Sequence, residues 1–366
     1  MKNWKQYLSL IVVLGLWISL VGYAWVTPAD ESSDSERRPL AQFPEVSADT
    51  IFSGKFMTGF ADYAVDQFPL RDSFRTLNAL LTYYGLGQKD NNGIYLHDGY
   101  AAKMEYPMNE SAVGYASARF QDLYKKYLAR CRNIYFAVVP DKSYYLADDA
   151  GVLSMDYEAM FAALEENLPW AKFVDLTGSL NIDSYFRTDT HWRQELLLPV
   201  VQELGEAMKF PVPEDFDFVT AKEDFYGVYF GQAALPMDPE PLNWVTWEGW
   251  EDIRVQIMDT NTVTGLYNEE KLSSRDPYES YLSGNVAVEV ITNPNAETNR
   301  ELVVFRDSFG SSIAPWLARS YAKITLVDTR YVAPVMISQF VTFNPNTEVL
   351  FLYSTLVINS SSSLRQ

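Results

Sequence analysis

The residues best able to move a proton in this chain lie in one stretch, Tyr-Phe-Arg-Thr-Asp-Thr-His-Trp-Arg-Gln-Glu, residues 185–195. Histidine occurs only twice among 366 residues, at His97 and His191. His191 follows Asp189 by two positions and precedes Trp192. On an extended or turning segment the side chains of 189 and 191 point the same way, so the carboxylate can accept the imidazole N–H. Such a pair can prepare a histidine to take a proton from a hydroxyl. It can equally be a satisfied histidine that pins a loop to Trp192. His97, in Leu-His-Asp-Gly, reads as a surface turn residue.

A hydroxyl partner has to come from elsewhere in the fold. From about residue 115 the chain alternates amphipathic helical patterns, such as 116–131 and 157–168, with short apolar runs. Five such runs, at 133–139, 171–176, 301–305, 322–327 and 347–352, have the composition of strands buried on both faces. They predict an α/β fold, a mostly parallel sheet between two helical layers. Pro199 must kink the helix of 195–208 or delay its start. Residues 43–85 look largely helical, and 91–104 carry the signature of a hairpin. Between about 211 and 300 the chain turns irregular and aromatic, and short alternating segments at 253–258 and 286–292 predict an antiparallel insertion.

Reactive groups in open α/β sheets sit at the carboxyl ends of the strands. Those ends carry Asp141 and Lys142; Asp189 and His191; Arg306, Asp307 and Ser308; Asp328, Arg330 and Tyr331; and Tyr353, Ser354, Thr355 with Asn359 farther on. A serine, a histidine and an aspartate therefore fall on one edge, the set that nucleophilic acyl chemistry requires. Asp307, Ser308, Ser311 and Ser312 also suit a helix cap. A serine at that turn has its own N–H at a helix N-terminus, where an oxyanion is favoured. Gly310 lets the first helical turn approach either a ligand or a packed neighbour. Lys142 and Arg330 are candidates to hold an anionic or polyhydroxylated substrate, or to complete an oxyanion site. The aromatic cluster of Tyr226, Tyr229, Phe230, Trp244, Trp247 and Trp250 is either core or a platform for sugar rings.

Several functions are excluded. A net charge of −19 with no basic run repels nucleic acid. The single cysteine, Cys131, and the scarcity of histidine leave too few soft ligands for a zinc or iron site. No calcium loop and no glycine-rich phosphate loop occurs, so no metal or cofactor is expected. Residues 8–26 run 19 positions without a charge, long enough to cross a hydrocarbon core of about 30 Å. With Lys2 and Lys5 before it and no small-residue cleavage pattern after it, 1–26 reads as an uncleaved signal anchor with a cytoplasmic N-terminus. Residues 27–45 then read as a polar tether, and 46–366 as an extracytoplasmic α/β domain carrying the insertion at about 211–300.

The blocks RRPLAQFPEVS, DQFPLRDSF, NNGIYL, VVPDKSYYL, TDTHW, DPYESYLSGN and RDSFGSSIAPWL, in this order, resemble the DHHW family of bacterial surface proteins. Here Asp-Thr-His-Trp stands at 189–192, with Thr190 where the family motif has an additional histidine before His191. The same arrangement, followed later by Asp-Ser-Phe, is similar to the alginate O-acetyltransferase branch of the SGNH hydrolase superfamily, with the Asp/His block before the serine. The resemblance covers about residues 37–359. It implies a three-layer SGNH-like fold with Ser308 as nucleophile, His191 as base and Asp189 as its orienting partner. Arg330 and Asn359 then fall near the superfamily's oxyanion groups, although Arg306 replaces the glycine of its serine block. The implied activity is O-acetyl transfer or ester hydrolysis on a cell-surface glycan, helped by a membrane protein that exports acetyl groups. A non-catalytic glycan-binding or scaffold component is the other reading.

Overall fold

The computed structural model describes residues 4–365, so Lys2 lies outside the described residues. The chain divides into two compact units, Met1–Asn91 with Ala234–Pro236, and Asn92–Ala233 with Met237–Gln366.

In the first unit, helix α1 (Trp4–Val26) contains none of its residues buried and is apolar enough to cross a membrane. A two-residue pair, β1 (Ser32–Ser33) with β2 (Arg38–Pro39), follows. Then come α2 (Ala48–Phe52), α3 (Lys55–Asp66) and α4 (Arg71–Leu80). Ser47 starts α2 with a reciprocal capping box to Thr50.

The second unit begins with the expected hairpin, β3 (Ile94–His97) and β4 (Tyr100–Lys103), whose turn holds His97 beside Asp98. It continues through α5 (Glu110–Leu123), β5 (Asn133–Val139), α6 (Ser143–Ala150), α7 (Tyr157–Asn167) and β6 (Lys172–Val174). Next are α8 (Leu198–Met208), β7 (Asp217–Phe225), α9 (Val228–Ala233), β8 (Glu240–Thr246), β9 (Arg254–Ile257), β10 (Thr262–Thr264) and β11 (Val288–Thr292). The chain closes with β12 (Glu301–Arg306), α10 (Phe309–Ala318), β13 (Lys323–Val327), β14 (Glu348–Ser354) and α11 (Thr355–Asn359). Pro199 sits in the first turn of α8, the position where a missing N–H costs nothing.

Eight strands form one mixed sheet in the order β10-β9-β11-β13-β12-β14-β5-β6. The five apolar runs supply its parallel half, from β13 to β6. The segments expected to be antiparallel, 253–258 and 286–292, contain β9 and β11, and these two with β10 extend this same sheet. β7 and β8 stand apart as a separate antiparallel pair, as do β1 with β2 and β3 with β4.

Alternation explains the layers. Along β14, Leu350 and Leu352 enter one core with α8 and α10, while Val349, Phe351 and Tyr353 enter the other with α5, α7 and α11. Phe351 is the centre of the second core. Its ring lies 4.8 to 5.7 Å from those of Phe305, Phe120, Trp170 and Phe136. Phe351→Ala therefore opens a cavity under the central strand and is expected to cost about 3–5 kcal/mol. Urea denaturation of the two proteins measures this, and a loss below about 1 kcal/mol would show that the ring cluster does not carry the core.

Candidate active site

The stretch 185–195 doubles back on itself. Tyr185 and Trp192 form an antiparallel bridge, Phe186 N donates to His191 O at 3.1 Å, and Arg193 N donates to Ser184 O at 2.8 Å. Tyr185, Phe186 and Trp192 are all fully buried in the larger core, so both legs of the loop are anchored. The tip, Arg187 to Thr190, is bound from several sides. The Glu240 carboxylate accepts the N–H groups of Arg187 and Thr188 at 2.9 and 2.8 Å, and the Thr188 hydroxyl at 2.8 Å. Thr188 Oγ1 accepts from Gly227 N at 2.9 Å.

Asp189 has no exposed surface. Its Oδ1 accepts the His191 backbone N–H at 3.1 Å and lies 2.6 Å from His191 Nδ1, while Oδ2 accepts Val228 N at 2.8 Å. A carboxylate only accepts, so the Nδ1 proton faces Asp189 and Nε2 is left as the acceptor. Ser308 Oγ lies 2.8 Å from that Nε2 and can donate to it. Three residues spread over 120 positions thus form one hydrogen-bonded chain. The imidazole is further fixed by Tyr278, whose ring stacks on it at 3.8 Å and 9°, and by Phe309 at 4.9 Å. Gly227 has to be glycine because a Cβ there would overlap Asp189. Thr190 turns aside, where it accepts from the Tyr229 hydroxyl at 3.0 Å.

Ser308 does not cap α10. Asp307 does so, with Oδ1 accepting Phe309 N at 3.0 Å. Asp307 Oδ2 accepts both Ser354 N and Ser354 Oγ at 2.7 Å, tying the end of β12 to the end of β14. The serine hydroxyl is therefore free to face His191, and it is half-buried between two buried neighbours. Its own N–H opens the helix and meets no acceptor among the described residues. Gly310 is explained by packing, because a Cβ would press on the Arg306 stem. Arg306, 1% exposed, pairs with Glu289 at 3.1 Å and approaches Asp328 at 3.8 Å. Burial lifts Glu289 to about 8 in spite of that arginine.

The other candidates sit apart from this chain of hydrogen bonds. Arg330 is held by Asp328 through Nε and NH2, at 2.9 and 2.7 Å. Asn359 joins two termini: its Oδ1 accepts Asn109 N at 2.7 Å and its Nδ2 donates to Glu105 at 3.0 Å. Lys142 is buried beneath the loop and donates to the carbonyls of Phe186 and Arg187 at 2.9 and 3.2 Å. Of the aromatic cluster, Tyr229, Trp244 and Trp247 are buried core, and Trp244 stacks on Tyr267 at 4.7 Å. Tyr226 is 37% exposed, 4.4 Å from Phe230. Tyr278, which sequence reasoning gave no role, lies in the DPYESYLSGN block, and the presence of that block among the ordered motifs was the available signal.

Burial pulls the Lys142 ammonium down to about 7, against the raising effects of Asp189, Glu240 and Asp141. Between about 7 and the ordinary lysine value the unfolded chain binds the extra proton, so stability rises with pH across that window. Lys142→Met should flatten this rise and leave the Phe186 and Arg187 carbonyls short of a donor, at about 1–3 kcal/mol. Urea midpoints of both proteins at several pH values across the window test this. Parallel curves would sink the assignment.

No family model matches the sequence, and no curated protein matches it significantly. Solved structures do match. A DHHW family protein from Eubacterium siraeum aligns with a TM-score of 0.61 at 20% identity, over 75% of this chain and 95% of its own. Bacillus cereus PatB1, solved with a sulfonyl adduct, aligns with a TM-score of 0.56 at 19% identity, over 71% of this chain and 93% of its own. The O-acetyltransferase domain of Pseudomonas putida AlgJ aligns with a TM-score of 0.45 at 13% identity, covering 73% and 92%. The chain has an α/β fold shared with the DHHW family protein and with PatB1.

Proposed function

We propose that this chain is a membrane-anchored, extracytoplasmic serine acyltransferase or esterase acting on O-acetyl groups of a cell-surface glycan. The observation that carries this reading is the hydrogen-bonded chain Ser308–His191–Asp189, with links of 2.8 and 2.6 Å. Ser308 Oγ attacks the acetyl carbonyl carbon as its proton passes to His191 Nε2. Asp189 stabilises the imidazolium and keeps Nδ1 protonated. The alcohol then leaves with the proton from Nε2, and the acetyl group stays on Ser308. A sugar hydroxyl or a water, deprotonated by His191, attacks the acetyl-serine and frees the enzyme.

The oxyanion that forms twice in this cycle is assigned to the Ser308 N–H at the start of α10. Arg330 and Asn359, engaged with Asp328 and with Asn109 and Glu105, are withdrawn from that role in this proposal. Lys142 becomes a brace for the loop that carries Asp189 and His191. Anchoring rests on α1, with Lys2 and Lys5 on the cytoplasmic side. The glycan and a membrane protein that exports acetyl groups are the partners this chemistry needs outside the cell.

The engagement of Arg330 and Asn359 also favours a second reading, a glycan-binding scaffold whose oxyanion site is incomplete. One assay separates the two. The detergent-solubilised full chain is incubated with p-nitrophenyl acetate beside Ser308→Ala and His191→Ala, with circular dichroism as the check on folding. Each variant should lose at least about 10³-fold in turnover while keeping its fold. A sulfonyl fluoride should label Ser308 in the parent alone. Equal, background-level hydrolysis by all three proteins together with an unlabelled Ser308 favours the scaffold.

A further inference from the structure

The last helices of the N-terminal unit wear their apolar side outward. α4 continues through a π turn at Leu81–Gly85, and Phe74, Leu77, Leu81 and Tyr84 fall on one stripe at spacings of three and four. Those four residues are 44, 62, 60 and 68% exposed. The opposite face of the same helix looks inward and is charged. Arg71 and Arg75 pair with Glu36 at 2.5 and 3.4 Å, and Ala79 is fully buried beside them. Met57 and Val65 on α3 and Phe52 on α2 add further exposed apolar surface. A single exposed leucine is ordinary, but a continuous stripe of this length marks a face made for a non-aqueous neighbour.

The same unit holds α1, which indicates what that neighbour is. Tyr23, Ala24 and Thr27, at the end of α1, wall one recess together with Phe68, Leu70 and Arg71 at the α3–α4 turn. Asp30 N donates to Gln67 Oε1 at 2.9 Å, and Gln67 Nε2 donates back to Asp30 O at 2.9 Å. Asp30 lies four residue steps beyond Val26, a reach of at most about 14 Å. The helices are thus pinned close to where α1 would leave the hydrocarbon, inside or beside the headgroup layer. Tyr23 and Trp25, 54 and 87% exposed, supply the aromatic side chains favoured at that depth.

We propose that α2, α3 and α4 form an interfacial layer whose outward stripe is inserted among the lipids of the leaflet from which α1 emerges. The proposal rests on the reading of α1 as a membrane span. The ionic inner face of α4 holds the layer to its own unit, and the stripe of Phe74, Leu77, Leu81 and Tyr84 meets the acyl boundary, the arrangement of a monotopic amphipathic helix.

The test uses the full chain in a Cys131→Ser background, with single spin labels at Leu14→Cys, Met57→Cys, Leu77→Cys, Leu81→Cys or Asp72→Cys. Each variant is reconstituted in phosphatidylcholine–phosphatidylglycerol vesicles, and collisions with oxygen and with a water-soluble nickel chelate are measured by electron paramagnetic resonance. The proposal expects labels at 14, 57, 77 and 81 to meet oxygen and escape nickel, and the label at 72 to meet nickel. If 14 lies in lipid while 57, 77 and 81 meet nickel, the interfacial layer is overturned and the span stands. Shielding of 57, 77 and 81 from both reagents means that protein covers the stripe, which also overturns it. A nickel-accessible 14 removes the span and the proposal with it.

Discussion

The buried carboxylate of Asp189 is the constraint around which the candidate site is arranged. With no exposed surface, its charge has to be matched by donors or it would cost several kcal/mol to hold. The donors come from two places in the chain: His191 supplies a backbone and a ring N–H, and Val228 supplies a backbone N–H. Satisfying Asp189 therefore joins the 185–195 loop to the first residue of α9. Gly227 permits the close approach, since any side chain there would overlap the aspartate. A second carboxylate, Glu240, holds the same loop by its backbone, and Lys142 holds it from below. Two acids and one lysine, all buried, leave the loop little freedom to move.

The serine side is built on a different principle. Asp307 performs the capping that Ser308 otherwise would, and it also ties two neighbouring strand ends together. Behind it, Arg306, Glu289, Asp328 and Arg330 form a buried ionic cluster at the ends of β11, β12 and β13. Such clusters contribute little net stability, because desolvation offsets most of the attraction. Breaking one member is costly, however, since it leaves an unpaired charge. The cluster thus fixes strand register and the position of the helix start more than it stabilises the fold. Arg306 does both at once, with its stem packed against Gly310 and its guanidinium between two acids.

The sheet was legible in the sequence because its strands are buried on both faces, which leaves uninterrupted apolar runs such as 133–139 and 347–352. Of the two outcomes a proline at 199 allowed, a kink or a late start, α8 takes the late start. Strand polarity points to Ser308, which follows β12 directly, whereas Asp189 and His191 lie on a loop well past the end of β6 and are marked by their own spacing. What failed to show was the use of side chains whose partners are distant in sequence. Arg330 lies just past β13 and Asn359 at the far end of α11, yet Asp328 and Glu105 claim them. Lys142 was visible as a strand-end cation, but its burial under a loop 44 residues away was not. Tyr278 stacks on His191 from a single 3-10 turn, Pro277–Ser280, too short for any periodicity to mark it.

The polar groups of this site divide according to what each is free to do. Asp307, Glu240 and Lys142 have their hydrogen-bonding capacity taken up by the protein, so they can orient neighbours but have little left for a ligand. Ser308 Oγ and the Ser308 N–H differ: the first has only His191 Nε2, and the second has no acceptor among the described residues. Both belong to one half-buried residue at the N-terminus of a ten-residue helix, where anionic charge is stabilised. A backbone donor of this kind carries no signature in the amino-acid letters. A chain can therefore place a donor beside its serine without any side-chain motif for it, and here Asp307 caps the helix in place of the serine.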